Sequence, residues 1–120
     1  MRVERSLQKK VCIDGTFMKE FVLSDPLTVD LADYLWNFGQ VEVLTLQGKR
    51  FLSFENPRFI SVKGVIGEER VEVRYAAGVY DLAPDLFHLF LYHYTNGKEV
   101  RKMREILTAM EGKIRGPTGC

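Results

Sequence analysis

Cysteine is scarce in this chain: Cys12 and Cys120 are the only two among 120 residues. One pair placed this way is not a disulfide framework, so the expected compartment is a reducing one. Cys12 lies in an apolar run and reads as a small core residue of a strand. Cys120 is the last residue, whereas prenylation requires further residues after the cysteine.

Excess charge of either sign is lacking as well. The 17 basic and 16 acidic side chains leave a net charge of +1. So small an imbalance provides no overall field to draw in nucleic acid or an anionic membrane. No run approaches the ~18 apolar residues of a membrane-crossing helix. Met1-Arg2-Val3-Glu4-Arg5 leads into no apolar signal segment. A cytoplasmic protein without a membrane partner is expected.

Catalytic and cofactor signatures are missing too. The chain contains no G-x-S-x-G elbow and no Cys-x-x-Cys pair. Gly64-Val65-Ile66-Gly67 matches neither a P-loop nor a dinucleotide fingerprint, because it leads into a strand and carries Glu68 and Glu69 behind it. It reads as a bend or bulge followed by a hairpin turn. No cofactor and no metal site is expected. There is no internal repeat, low-complexity tract or linker. The 120 residues therefore suit a single domain, with residues 115–120 as a flexible tail.

What is present is ordinary globular composition, 46% hydrophobic and 28% charged. A chain of this size buries about two thirds of its unfolded surface, enough for a core without staples. Asp14-Gly15 between apolar runs predicts a hairpin turn joining strands at about 3–13 and 16–23. Ser24 or Asp25 can cap a helix from Pro26 to Phe38, which Gly39 would end in the left-handed cap position. Four short strands follow, at 41–46, 51–54, 59–66 and 71–75. Val71, Val73 and Tyr75 alternate with Glu72 and Arg74, as in a half-buried antiparallel strand. Asp81 caps a predicted helix over 82–95, closed by Asn96-Gly97, and a third helix spans 98–113. The fold class is α+β: a mainly antiparallel sheet in the order ββα-ββββ-αα, with helices packed on the sheet.

The helix faces differ. In the last helix, Val100, Met103, Ile106, Leu107, Met110 and Ile114 form one stripe of ordinary width. In the middle helix, Leu82, Leu86, Phe87, Leu89, Phe90, Leu91 and Tyr94 cover more than half the circumference. The sheet and the last helix can each cover part of that surface; any remainder would be open to a partner. In the first helix, Trp36 and Val29 lie away from the core stripe of Leu27, Leu31, Leu35 and Phe38. A second buried face explains Trp36 plainly; an interface explains it too, because aromatics are enriched there.

Three functional readings follow. The leading one is a non-enzymatic interaction or ligand-binding domain that self-associates as a homodimer through apolar helix surface, with Trp36, Leu86, Phe90 and Tyr94 as contacts. The second is nucleic-acid binding on the sheet. Phe51, Phe54, Phe59 and Tyr75 would stack bases, with Arg58, Lys63 and Arg74 on phosphate. Against it stand the small net charge and the absence of an RNP1-type sequence. The last helix carries six basic and three acidic side chains over residues 98–115, a net +3 interrupted by glutamates. The third reading is a small enzyme or metal site at His88. Asp81, Asp85, His88, Tyr92 and Thr95 would share one polar stripe, and Asp85 could orient the imidazole. The plain reading of that stripe is a solvated helix face with acidic residues near its N-terminus. His93 lies too far round the helix to join His88 on one metal and reads as a core histidine.

Overall fold

The computed structural model describes residues 1–11 and 15–115. Its elements are β1 (Val3–Val11), β2 (Phe17–Leu23), α1 (Val29–Leu35), β3 (Gln40–Leu46), β4 (Lys49–Asn56), β5 (Ile60–Val65), β6 (Arg70–Tyr75), α2 (Val79–Leu82), α3 (Leu86–Thr95) and α4 (Val100–Arg115). The six strands form one sheet in the order β1-β2-β6-β5-β4-β3, and every neighbouring pair is antiparallel. Short turns explain the β3-to-β6 meander, since loops of this length permit hairpins but no parallel crossover. The chain leaves β2 through α1 and starts again at the far edge, and the meander ends with β6 beside β2. The α+β class and the order ββα-ββββ-αα are thus present, with the middle helix divided in two.

The pleat sorts the side chains onto two faces. Phe21, Leu23, Leu52, Phe54, Ile60, Val62, Val71, Val73 and Tyr75 point to the helices and are all buried. α3 lies at the centre of this layer. Phe87 stacks on Phe21 at 5.5 Å between ring centroids, and Phe90 meets Phe54 at 6.1 Å and Phe38 at 5.3 Å. α4 adds Met103, Leu107 and Met110 to the same core. Leu86, Phe87, Phe90 and Leu91 of the wide apolar arc are therefore covered within the monomer, Leu89 and Tyr94 are covered in part and Leu82 stays exposed, each buried Leu or Phe contributing about 1.5–3 kcal/mol.

Several boundaries differ from the sequence expectation, each for a physical reason. The first helix starts at Thr28, not at Ser24 or Asp25: Thr28 is extended (φ −126°, ψ 158°) and its hydroxyl accepts the Leu31 N–H at 3.1 Å. Ser24 is engaged with the residue just before β1, its Oγ accepting the Arg2 N–H at 3.0 Å and donating to Asp25 at 2.8 Å. The Leu27 N–H is taken by the Glu68 carbonyl at 2.9 Å, which keeps this stretch out of the helix. Gly39 is not a left-handed cap. It is required because a Cβ there would lie 2.4 Å from the Glu55 carbonyl oxygen.

The helix expected over 82–95 is broken. Pro84 disfavours helical geometry in the residue before it, and Ala83 is accordingly at φ −145°, ψ 75°. Asp81 belongs to α2 and does not cap α3. Gly64 makes no bulge; its pairing with Val71 is regular, and its missing side chain leaves room for Leu27 Cδ1. Gly15 has φ +86°, but Cys12 and Asp14 of the expected hairpin, and the tail at 116–120 with Cys120, lie outside the described residues. Among the described residues, no helix is long and apolar enough to cross a membrane.

Candidate interaction surface

The face of the sheet opposite the helices alternates charge. Cross-strand neighbours there include Glu20 and Glu72, Glu72 and Lys63, Met18 and Arg74, Ser61 and Glu55. Toward β3 the character changes. Leu44 pairs with Phe51, and Phe51 with Val65, so an apolar row runs inward from the sheet edge. Leu44 and Leu46 are 58% and 59% exposed, and Phe51 and Val43 are also among the exposed apolar residues. Val29 and Trp36 add to this group on α1, which packs against β3 and β4.

The two edges of the sheet contrast. β1 has register shifts between Val3 and Arg5 and between Ser6 and Gln8, and it carries Glu4, Arg5 and Lys10. Bulges and lysines are the usual devices that prevent a free edge from pairing. β3 has neither. Its register with β4 is unbroken from Gln40 to Leu46, and Glu42 is its only charged residue. The turn after it is a tight hairpin, Gln47 at φ 51° and Gly48 at φ 78°, of the kind whose twist matches the right-handed twist of the strands it joins. A regular, exposed, apolar edge of this kind is a template for another strand.

The residues named from sequence are not gathered at one place. Leu86 and Phe90 are 0% and 1% exposed and serve the core. Trp36 is 62% exposed at the end of α1. Tyr94 is half-buried: its ring leans on Tyr34 at 5.4 Å and its hydroxyl donates to Asp30 at 2.7 Å. Lys98 also pairs with Asp30 at 2.7 Å, and these two contacts hold the Asp30 carboxyl below its ordinary pKa.

For the sheet aromatics, Phe54, Phe59 and Tyr75 are buried under the helices, and only Phe51 reaches the open face. Arg58 is ion-paired with Glu111 of α4, while Lys63 and Arg74 lie on the open face opposite Glu72 and Ser61. A stacking platform flanked by cations is not formed from these residues.

His88 sits at the rim of a cleft of about 460 Å³ between the start of β1 and α3, with Arg2, Val3, Leu89, Tyr92 and Thr95. Its ring meets Phe21 edge-on at 5.5 Å. Burial lowers its pKa and Lys19 pushes the same way, against the opposing pull of Asp85. Asp81 is separated from this stripe by the break at Pro84. Among the described residues, no group of three or more His, Cys, Asp or Glu side chains could hold a metal ion. His93 is half-buried, in ring contact with Tyr92 at 5.1 Å.

Sequence reasoning overlooked the β3 edge. The signal was available: Val41-Glu42-Val43-Leu44-Thr45-Leu46 puts apolar residues on both faces of one strand, and an edge position cannot bury both. Comparison of the chain with protein-family models, curated proteins and solved structures gives no match.

Proposed function

We propose that this protein is a non-enzymatic interaction domain that associates with a second copy of itself along β3. The observation that carries this reading is the contrast between the guarded β1 edge and the regular, apolar β3 edge. Pairing two such edges joins two sheets into one and covers Leu44, Leu46 and Phe51. A two-fold contact is the commonest arrangement for like chains. This reading looks for the self-association surface on the sheet edge, with α1 and Trp36 beside it, and no longer on α3. The scarcity of cysteine supports a reducing site of action such as the cytosol.

The contact is short, below the size of a standard stable interface, so a concentration-dependent dimer in the micromolar range is expected. Light scattering or sedimentation from about 10 to 300 μM tests this across affinities expected of small interfaces. The mass should rise toward twice that of the chain, and Leu44→Lys should return it to the monomer. A monomeric mass throughout would overturn the reading.

A further inference from the structure

We infer that the second copy docks in one particular antiparallel register: Thr45 faces Thr45, Leu44 faces Leu46 of the other copy, and Glu42 reaches Lys49 of the other copy. This inference rests on the self-association proposed above and names its geometry.

Two-fold symmetry sets the choice. An antiparallel pair of identical strands must place one residue opposite itself; within Gln40–Leu46, centring on Val43 pairs all seven residues, on Leu44 five and on Thr45 three, so the side chains decide among them. Directly opposite side chains share a face of the sheet. Centred on Val43, Leu44 would face Glu42 and Leu46 would face Gln40. Centred on Leu44, Leu46 would face Glu42. Both arrangements set a carboxylate against an exposed leucine. Only the Thr45-centred register pairs Leu44 with Leu46, and symmetry repeats that pair on the other side of the axis. Phe51, the cross-strand neighbour of Leu44, then continues the apolar row from each copy.

Charge favours the same register. Glu42 would stand level with the turn at Gly48 of the other copy, and Lys49 is the first residue beyond that turn. Leu46 and Lys49 are cross-strand partners, so Lys49 lies on the same open face as Leu44 and Leu46. Strand spacing and rise put the two Cα atoms on the order of 12 Å apart, within the combined reach of the two side chains. Lys49 is free to make this contact: its own pair with Glu68 is loose, at 3.8 Å, and its side chain is 63% exposed. On the helix-covered side of the strand, the opposed Thr45 hydroxyls form a pair of the type that stabilises antiparallel sheets.

Disulfide trapping reads the register directly. In the full chain with Cys12→Ser and Cys120→Ser, single cysteines are introduced by Thr45→Cys, Leu44→Cys or Val43→Cys and oxidised at dimer-forming concentration. Residues directly opposite in an antiparallel pair lie about 4.5–5.5 Å apart, within disulfide range, whereas a displaced pair lies beyond about 7 Å. Thr45→Cys should cross-link at least about 10-fold faster than the other two. Fastest cross-linking by Leu44→Cys or Val43→Cys would overturn this register and leave self-association along β3 standing. A monomeric mass for the unmodified protein would overturn both.

The charge pair gives an independent reading. Glu42→Lys and Lys49→Glu should each weaken dimerisation, by about 3–10-fold, and the double variant should return to within about 2-fold of the original. Dimerisation unmoved by either single reversal would overturn the assigned Glu42–Lys49 contact.

Discussion

The backbone at Gly39 runs so close to β4 that a Cβ placed there would lie 2.4 Å from the carbonyl oxygen of Glu55. That oxygen belongs to a regular ladder position, paired with Gln40, and cannot move without disturbing the ladder. Gly39→Ala should therefore destabilise the fold by about 1–3 kcal/mol. At Gly64 the nearest atom is the end of the Leu27 side chain, at 2.5 Å. A side chain can rotate where a carbonyl cannot, so Gly64→Ala should cost less. Urea denaturation of the two variants gives the order; equal midpoints would show that the β3–β4 ladder yields more readily than argued.

Two tyrosines should behave oppositely when the hydroxyl is removed. Tyr75 is fully buried and its hydroxyl has no hydrogen-bond partner among the described residues. Tyr34 donates to the Glu99 carbonyl at 3.0 Å and so ties α1 to the start of α4. Tyr75→Phe should be neutral or stabilising, whereas Tyr34→Phe should cost about 1 kcal/mol. Burial raises the pKa of both, that of Tyr34 to about 12. The unfolded chain releases these protons near 10.0, so stability should fall as the pH rises above that value. Denaturant melts at neutral and alkaline pH check both statements.

Trp36 should separate cleanly from Leu86 and Phe90 of α3. Leu86→Ala and Phe90→Ala empty core volume and should cost about 2–5 kcal/mol each. Trp36 is mostly exposed, so Trp36→Ala should change stability by no more than ~0.5 kcal/mol. Thermal melts decide. A large loss at Trp36 would mean that the indole is covered, and a loss that grows with protein concentration would place it in the dimer contact.

His88 makes a pH-dependent contribution of defined sign. Its folded-state pKa is lowered, chiefly by burial, from the ordinary value of 6.5. The unfolded chain therefore takes up the proton first. The contribution is complete above 6.5 and declines as the pH falls below it. Proton NMR titration should give a His88 pKa below that of a free histidine, and the fall in stability between about pH 7.5 and 5.5 should shrink in His88→Gln. A zinc affinity in the nanomolar range, lost in His88→Ala, would instead restore the metal-site reading.

Much of the fold was legible along the chain. Alternation at Val71, Val73 and Tyr75 marked β6, and the stripe of Met103, Leu107 and Met110 marked the buried side of α4. The helix boundaries were less legible because they depend on local competition. Thr28 caps α1 because Ser24 and the Leu27 amide are used by other parts of the chain, and Pro84 splits the middle helix through the conformation it imposes on Ala83. The Pro84 effect could have been read from sequence; the competition at Thr28 depends on contacts between distant segments.

Residue order along the chain sets the period of each element, and with it which side chains share a face, because Cβ directions follow from backbone geometry alone. The chain also sets the near balance of charge and the lack of a ready-made chemical motif. Packing between distant segments selects which faces go inside. It sent Phe54, Phe59 and Tyr75 into the core and buried Leu86, Phe87, Phe90 and Leu91 of α3, leaving His88 and Tyr92 outside. It also left β3 at the rim, where a strand that is apolar on both faces has neighbours on one side only. Strand order caused this: β2 returns to pair with β6 through contacts between residues far apart in sequence, so the meander's first strand remains an edge.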